Sequence, residues 1–570
     1  MTQSLPRRKR YHSARPPVTP AVAAAVDRAM AAVSPVRPDK ALALLQQLQA
    51  ILGHLPADAL HEASRRSGIP LADLNALVSF YDLLTTDPDG TVVIHVCNDL
   101  VCRHTPGARA LAERLAASGQ KVRMASCLGQ CDRGPAALVT RAEPAGEGET
   151  PLAYGGYRSW SLEVQHDTVR GWPVGYRPLL LARCGQYDPA KLDAYRAQGG
   201  LKALTQARAM APAEIIALLK GTRLIGRGGA AFPTGIKWEG VLNAPTPLGP
   251  GPDGALKYVV VNGDESEPGT FTNRVLMEED PLAVIEAALI AAHTVGAGQI
   301  YIFIRGEYPR AIERITGAIS SMTAANLLNG VAVEVRVGGG KYVCGEETAL
   351  FGAIEGLRGT PRVKPPFPTT NGLFDRPTLI NNVETLINLL PILTEGADAW
   401  NQVEPKLFSI SGHVASPGVY ELPLGTPLAE LIALAGGPTE PVQAVLMGGA
   451  SGMFLGPDKL NTPLAFKAMA AAGATLGSGA VMVFGASVDL WDVAGRAARF
   501  FAEESCGKCV PCRIGTARQE ELVAALAEGD TRWAGLFAEL SAAMTDSSIC
   551  GLGQTATSLM KSLLALKEVQ

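Results

Sequence analysis

Eight of the ten cysteines fall into two tight groups. Cys506, Cys509 and Cys512 are spaced CxxCxxC, and Cys550 follows far enough downstream for one helix out and one helix back. Three thiolates at a spacing of three plus one remote ligand form the ligand set of a four-iron cubane, whereas a zinc site has no use for the crowded triplet. Upstream, Cys97 and Cys102 have four residues between them, and Cys127 and Cys131 have three. Two thiolate pairs suit a two-iron cluster, one pair per iron. Structural zinc is the alternative there, and disulfides are a second.

Other residues point to an anionic ligand. In residues 224–238, LIGRGGAAFPTGIKW, Gly226, Gly228 and Gly229 permit positive φ and close backbone approach, Arg227 and Lys237 bracket them, and Pro233 stiffens the exit. A chain so built lays amides and cations against a phosphate. The following run YVVVN ends abruptly in Asp264, Glu265 and Glu267, so these acids stand at the carboxyl end of a strand, where open α/β sheets bind ligands. There is no Gly-Lys-Ser/Thr phosphate loop, and the spacing is not GxGxxG; the dinucleotide fold is therefore not expected.

The elements that must position these groups form a multidomain α/β and α+β chain. Its 570 residues are 47% hydrophobic with a formal charge of -3, which allows several cores and argues against nucleic acid as a partner. Cysteine usage favours metal binding in a reducing compartment, hence the cytoplasm. Neither an export signal nor a membrane span is supported, because Asp27 and Arg28 interrupt the alanine-rich start.

Residues 1–20 read as a disordered or contact arm and 21–86 as a helical bundle that includes LADLNALVSFYDLL as one helix. Residues 87–172 alternate strand, helix, strand, strand in thioredoxin style, with a polar, Gly-rich end and linker over 144–175. A central α/β sandwich domain spans 173–400, a strand-and-turn module 401–490, and a helical bundle holding the cubane 491–570. In the central domain, Glu346 and Glu347 open a helix after a glycine turn, and Cys344 reads as a small buried residue rather than a nucleophile.

Taken in order, these motifs resemble the flavin and NADH-binding subunit of respiratory complex I and its relatives in soluble NAD-dependent formate dehydrogenases and NAD-reducing hydrogenases. The region through Gly129 and Pro135 is similar to the small thioredoxin-like ferredoxin subunit of complex I, here fused upstream. The resemblance covers about residues 35 to 570. It implies FMN and NAD in one crevice, a [2Fe-2S] and a [4Fe-4S] cluster on the eight cysteines, and a β-grasp fold for residues 401–490, taken as a connector without chemistry of its own.

It further implies roles for individual residues. The glycine loop (Gly226, Gly228, Gly229) with Arg227 and Lys237 lies near phosphate, and Asn262, Asp264 and Glu265 lie near the ring. Tyr342, Gly345, Glu346 and Glu347 line flavin and nicotinamide; Phe232, Lys364 and Phe367 contact NAD; Asn381, Asn382 and Thr385 contact the flavin. Glu267 is the acid beside the hydride-transfer position. Three departures from the family pattern stand out: Ala231 for Gly, Lys341 for a small residue, and Thr272-Asn273 for Lys-Asp. The first is expected to add a methyl beside the cofactor and the second a charge.

A flavin joins two-electron to one-electron chemistry, so the chain reads as a diaphorase subunit passing electrons between NAD and iron-sulfur clusters. Fusion and retention of all four upstream cysteines favour a formate dehydrogenase β subunit, partnered by a catalytic subunit with a molybdenum or tungsten pterin and further clusters. The alternatives are a hydrogenase diaphorase and the NADH dehydrogenase module of complex I.

Overall fold

The computed structural model describes residues 17–88, 92–104, 108–141, 157–158 and 168–569. Residues 1–16 of the expected N-terminal arm and most of the linker over 144–175 lie outside them, and the last arm residue, Pro20, already opens the first helix. Four helices open the chain, Pro20–Ala32, Ala41–Leu52, Ala57–Ser67 and Leu71–Val78. The second and third stop at Gly53 and Gly68, both left-handed, as helix ends commonly do. The fourth ends earlier than its sequence pattern predicts. Instead of continuing the helix, Asp82 and Leu83 donate their amides to the carbonyls of Gly340 and Gly339, which stitches this strip onto the central domain.

The next module has a four-stranded sheet in the order Lys121–Ala125, Val92–Cys97, Ala137–Arg141, Tyr157–Arg158, with Ala108–Ala117 as its helix. The first pair is parallel and the others antiparallel. All four upstream cysteines sit at or just beyond strand ends of this sheet.

In the central domain four parallel strands lie in the order Ala332–Val337, Gln299–Ile304, Tyr258–Gly263, Thr378–Asn382. The apolar run Val259–Val261 is fully buried, as in a sheet covered on both faces, with Pro281–Val295 among the helices packed against it. Counted along the chain the order is 3-2-1-4, that of the first four strands of a doubly wound dinucleotide fold. The expectation of a different fold is thereby corrected. Only the glycine motif differs: the turn after the first strand is acidic here, and the glycine-rich loop enters from the segment before that strand.

The strand-and-turn module is a six-stranded sheet ordered Met453–Leu455, Val442–Met447, Ala480–Gly485, Pro405–Gly412, Gly418–Pro423, Val169–Gly171. Its edge strand, Val169–Gly171, comes from the region read as linker and pairs in parallel with Gly418–Pro423. The chain then closes with helices Leu490–Glu504, Val510–Ala527, Ala534–Ser547, Gly551–Thr555 and Ser558–Val569.

Candidate functional site

A cleft of about 960 Å³ lies where the central domain, the six-stranded module and the C-terminal helices meet. This is near the upper end of the range for small-molecule sites, roughly 300–1,000 Å³, and leaves room for two stacked ligands. Asn262 and Asp264 line it from the end of Tyr258–Gly263, and Asn382 from the end of Thr378–Asn382. The strand order reverses between these two strands, so the cleft opens at the topological switch point.

The glycine loop forms one wall. Its base is closed by the Gly226 amide on the Phe232 carbonyl (2.9 Å) and the Thr234 amide on the Leu224 carbonyl (3.0 Å). Gly229 takes φ 103°, and a Cβ on Gly228 would come within 3.3 Å of the Asn382 Cβ, so both glycines answer to backbone geometry. Ala231 does not line the cleft; it sits at φ 53°. Its departure from glycine therefore costs backbone strain, about 1–2 kcal/mol, rather than adding a methyl beside the cofactor.

Charged side chains divide into those facing the cleft and those engaged by the scaffold. Lys364 reaches Glu346 (2.9 Å) and Glu347 (3.3 Å), and Lys237 also pairs with Glu347. Glu346 in addition caps the helix Glu347–Ile354, accepting the Thr348 and Ala349 amides. Phe232 and Phe367 stand exposed at the cleft. Glu265 touches the cleft, but its carboxylate accepts from the Thr272 hydroxyl and the Asn273 and Arg274 amides, which makes it the cap of Thr272–Glu279. Of the Thr272-Asn273 departure, the Thr272 hydroxyl adds to this cap, and the Asn273 side chain accepts from Asn382 (2.6 Å).

Three expected contacts lie behind the cleft wall rather than on it: Gly226, Asn381 and Thr385. Asn381 accepts from the Trp238 indole (3.0 Å), and Thr385 accepts from the Arg227 amide (2.9 Å). Lys341 likewise points away from the cleft. Its ammonium binds Asp82 (3.1 Å) and the Glu503 carbonyl, with Glu504 at 3.8 Å, so its charge joins modules instead of adding to the cofactor site.

Glu267 is held rather than solvated. Tyr342 donates its hydroxyl to it at 2.6 Å and the Ser451 amide donates at 2.9 Å, while burial pushes its carboxyl above the usual range. Burial also pushes Asp264 up, to about 7. Ser451 belongs to the six-stranded module, and Gly448, Thr475, Gly477 and Ser478 of the same module line the cleft with it. The expectation of a connector without chemistry is therefore corrected: its loop tips are one wall of the site. The glycine pair in VLMGGASG is the available signal, a second turn of the kind already noticed at Gly228.

Two donors behind this wall are unspent. Arg227 lines the cleft and is fully buried against Trp400 with Glu404 at 3.8 Å, yet its Nε and Nη1 have no protein partner. These donors face the protein interior, so a ligand in the cleft meets the loop by its amides and by Lys237, and those residues fit the phosphate of FMN.

Cys506, Cys509, Cys512 and Cys550 line one small hollow together with Lys508 and otherwise apolar side chains. Burial pushes Cys512 up to about 12 and Cys550 to about 11, an arrangement that cationic iron relieves by binding the thiolates. Val343, Ile549, Cys550 and Leu552 line both this hollow and the cleft, so the two share a wall. The upstream four, Cys97, Cys102, Cys127 and Cys131, are all buried in one group, with Cys102 and Cys127 each touching Cys131. All ten cysteines are free of disulfides. Cys344 is buried beside Tyr81, as expected.

The upstream cysteines reach the cleft by polar contacts. Arg305 donates to the Cys127 carbonyl (2.6 Å) and to the Glu265 carbonyl (2.7 Å), and Gly129, at φ 64°, rests on the Tyr308 ring.

Comparison with known proteins assigns these regions. Residues 27–145 match the thioredoxin-like [2Fe-2S] ferredoxin family, 219–390 the Nuo51 FMN-binding domain, 407–452 the SLBB domain and 492–566 the NADH-ubiquinone oxidoreductase-F iron-sulfur binding region. Among curated proteins, the NADH-quinone oxidoreductase F subunit of Aquifex aeolicus (strain VF5) is 37% identical over 406 residues, covering 68% of this chain and 92% of that one. The NADP-reducing hydrogenase subunit HndC of Solidesulfovibrio fructosivorans is 38% identical over 391 residues, 65% of this chain and 78% of that one. A solved structure of a NAD+-reducing [NiFe]-hydrogenase in the air-oxidized state contains a chain with 30% identity and a TM-score of 0.76, with 92% of each chain covered. FMN, a [2Fe-2S] cluster and a [4Fe-4S] cluster are thus the cofactors of this molecule. With a relative so similar over nearly its whole length, the chain belongs to the family of NADH-quinone oxidoreductase F subunits.

Proposed function

We propose that this chain is the NAD(H)–FMN diaphorase subunit of a multisubunit complex, carrying electrons between NAD(H) and its two iron-sulfur sites. The observation that supports this reading most is the wall common to the cleft and the cubane hollow, formed by Val343, Ile549, Cys550 and Leu552. FMN, when bound, supplies the exchange between hydride and single electrons. The chain's own residues do the rest. The glycine loop and Lys237 bind phosphate, with Arg227 buried behind the loop, and Phe232 and Phe367 give faces for the bases of the dinucleotide. Glu267, fixed by Tyr342 and Ser451, orients the nicotinamide end. Asn262 and Asn382 hold the strand ends beside the ring.

As the finer reading, we take the complex to be a cytoplasmic formate dehydrogenase whose catalytic subunit carries molybdenum or tungsten on a pterin. What supports it is the fusion of both modules with all four upstream cysteines kept. A NAD-reducing hydrogenase is the second reading, favoured by the full-length likeness to the [NiFe]-hydrogenase chain. Among the described residues no helix is long and apolar enough to cross a membrane.

The test is to purify the native complex. The diaphorase reading expects NADH-to-dye activity from this chain alone, and its absence in FMN-loaded protein overturns it. The finer reading expects molybdenum or tungsten in the co-purifying subunit and formate-dependent NAD reduction. Nickel with hydrogen-dependent reduction overturns it in favour of the hydrogenase.

A further inference from the structure

We propose that Asp264 is the residue that takes up the proton leaving the reduced flavin when its electrons pass to the clusters. The proposal rests on the diaphorase reading. The balance is simple. Reduced flavin in its anionic form carries two electrons and one proton at N5. With one electron passed to each of the two oxidised clusters, the N5–H bond would break, the proton would leave the flavin, and the Asp264 carboxylate would take it up in a new O–H bond.

Among the carboxylates lining the cleft, Asp264 is the one left for this task. Glu265 is used by three donors of a helix start, Glu346 by another helix start and a lysine, Glu347 by two lysines, and Glu267 by Tyr342 and Ser451. Asp264 has one neutral partner, the Ser266 hydroxyl. Its backbone is held firmly, with its amide on Asn262 Oδ1 (3.0 Å) and its carbonyl against Gly345, so the carboxyl is positioned at the end of the strand.

The charged groups facing it are Arg305, which favours its ionised form, and Glu307, which opposes that more weakly. Arg305 and Glu307, beyond the end of Gln299–Ile304, pair with each other at 3.0 Å. Tyr81 from the helical bundle and Cys344 from the turn after Gly340 are buried and kept protonated, so neither competes for the proton at neutral pH. A carboxyl that titrates near the working pH is suited to gaining and giving up a proton in each cycle. Burial places Asp264 there, at about 7.

The test is redox-difference infrared spectroscopy of the FMN- and cluster-loaded chain, poised electrochemically so that the result does not depend on NADH. Oxidising the flavin should raise a protonated-carboxyl C=O band that shifts in D2O, vanishes in Asp264→Asn and moves in Asp264→Glu, with FMN content measured in each. A band unchanged in Asp264→Asn, or no carboxyl band in the wild type, overturns the proposal. Failure of NADH to bleach the flavin in the same wild-type sample counts against the diaphorase reading instead.

Discussion

The two iron-sulfur sites are built on the same residue type and sit in opposite ways. Cys97, Cys102, Cys127 and Cys131 are all buried, and their module meets the cleft wall through polar contacts of Arg305, Tyr308 and Arg274. Of the cubane set only Cys512 is buried; Cys506, Cys509 and Cys550 are half-buried, and Cys550 is itself part of the cleft wall. The difference teaches that proximity in the fold assigns the sites different places in one circuit: the C-terminal site adjoins the cleft on one side and the surface on the other, and the upstream site is closed in behind polar contacts.

The largest effect that tests this contrast comes from Cys509→Ser. The cubane's EPR signal should disappear while the upstream cluster's signal remains, because the two share no ligand; loss of both would mean the modules are not independent. Next is Glu267→Gln, which should lower NADH-to-dye turnover by roughly 100-fold while FMN stays bound and starve both clusters equally. An unequal effect on the two clusters would break the idea of a single supply point. Turnover at the wild-type rate would return Glu267 to a structural role.

A smaller and one-sided change is Gly129→Ala. Its Cβ would fall 2.2 Å from the Tyr308 hydroxyl at a left-handed φ, so the upstream loop must shift, at a cost of about 1–3 kcal/mol. The [2Fe-2S] signal should broaden or be lost with the cubane signal intact, and thermal unfolding followed alongside EPR decides it. Asp264→Asn should disturb the two cluster sites least. The carboxyl's folded pKa of about 7 lies above the ordinary 3.8, so its stabilising share is present in acid and is lost as pH rises between these values. The variant should gain thermal stability over wild type at pH 8 and not at pH 4, with both cluster signals unchanged; a gain that does not depend on pH would refute the assignment.

Much of the site is legible because spacing alone carries it. CxxCxxC with a remote cysteine, and glycines flanked by Arg227 and Lys237, state their chemistry within a dozen residues, and the structure gathers each set. What is not legible depends on distant chain. The loop tips at Gly448 to Ser451 and Thr475 to Ser478 reach Glu267 and Thr270 only after the modules dock. The strand order cannot be read, since the 3-2-1-4 arrangement is decided by how crossovers pack and not by any one segment. The short fourth helix is hidden because LADLNALVSFYDLL is periodic throughout, and only Gly339 and Gly340, more than 250 positions later, draw its end away. Arg227 shows a milder gap: its cation is visible in the sequence, its burial against Trp400 is not.

The edge strand Val169–Gly171 also has a bearing on how the molecule is made. Its partner, Gly418–Pro423, lies roughly 250 residues downstream, so at about 5–20 residues per second the ribosome delivers it some 12–50 s later. During that interval the upstream module can finish its own sheet while Val169–Gly171 waits with open hydrogen-bonding groups. The six-stranded sheet thus carries a strand that precedes the central domain in the chain, so that a cut just after Gly171 would leave a strand of that later module attached to the earlier one.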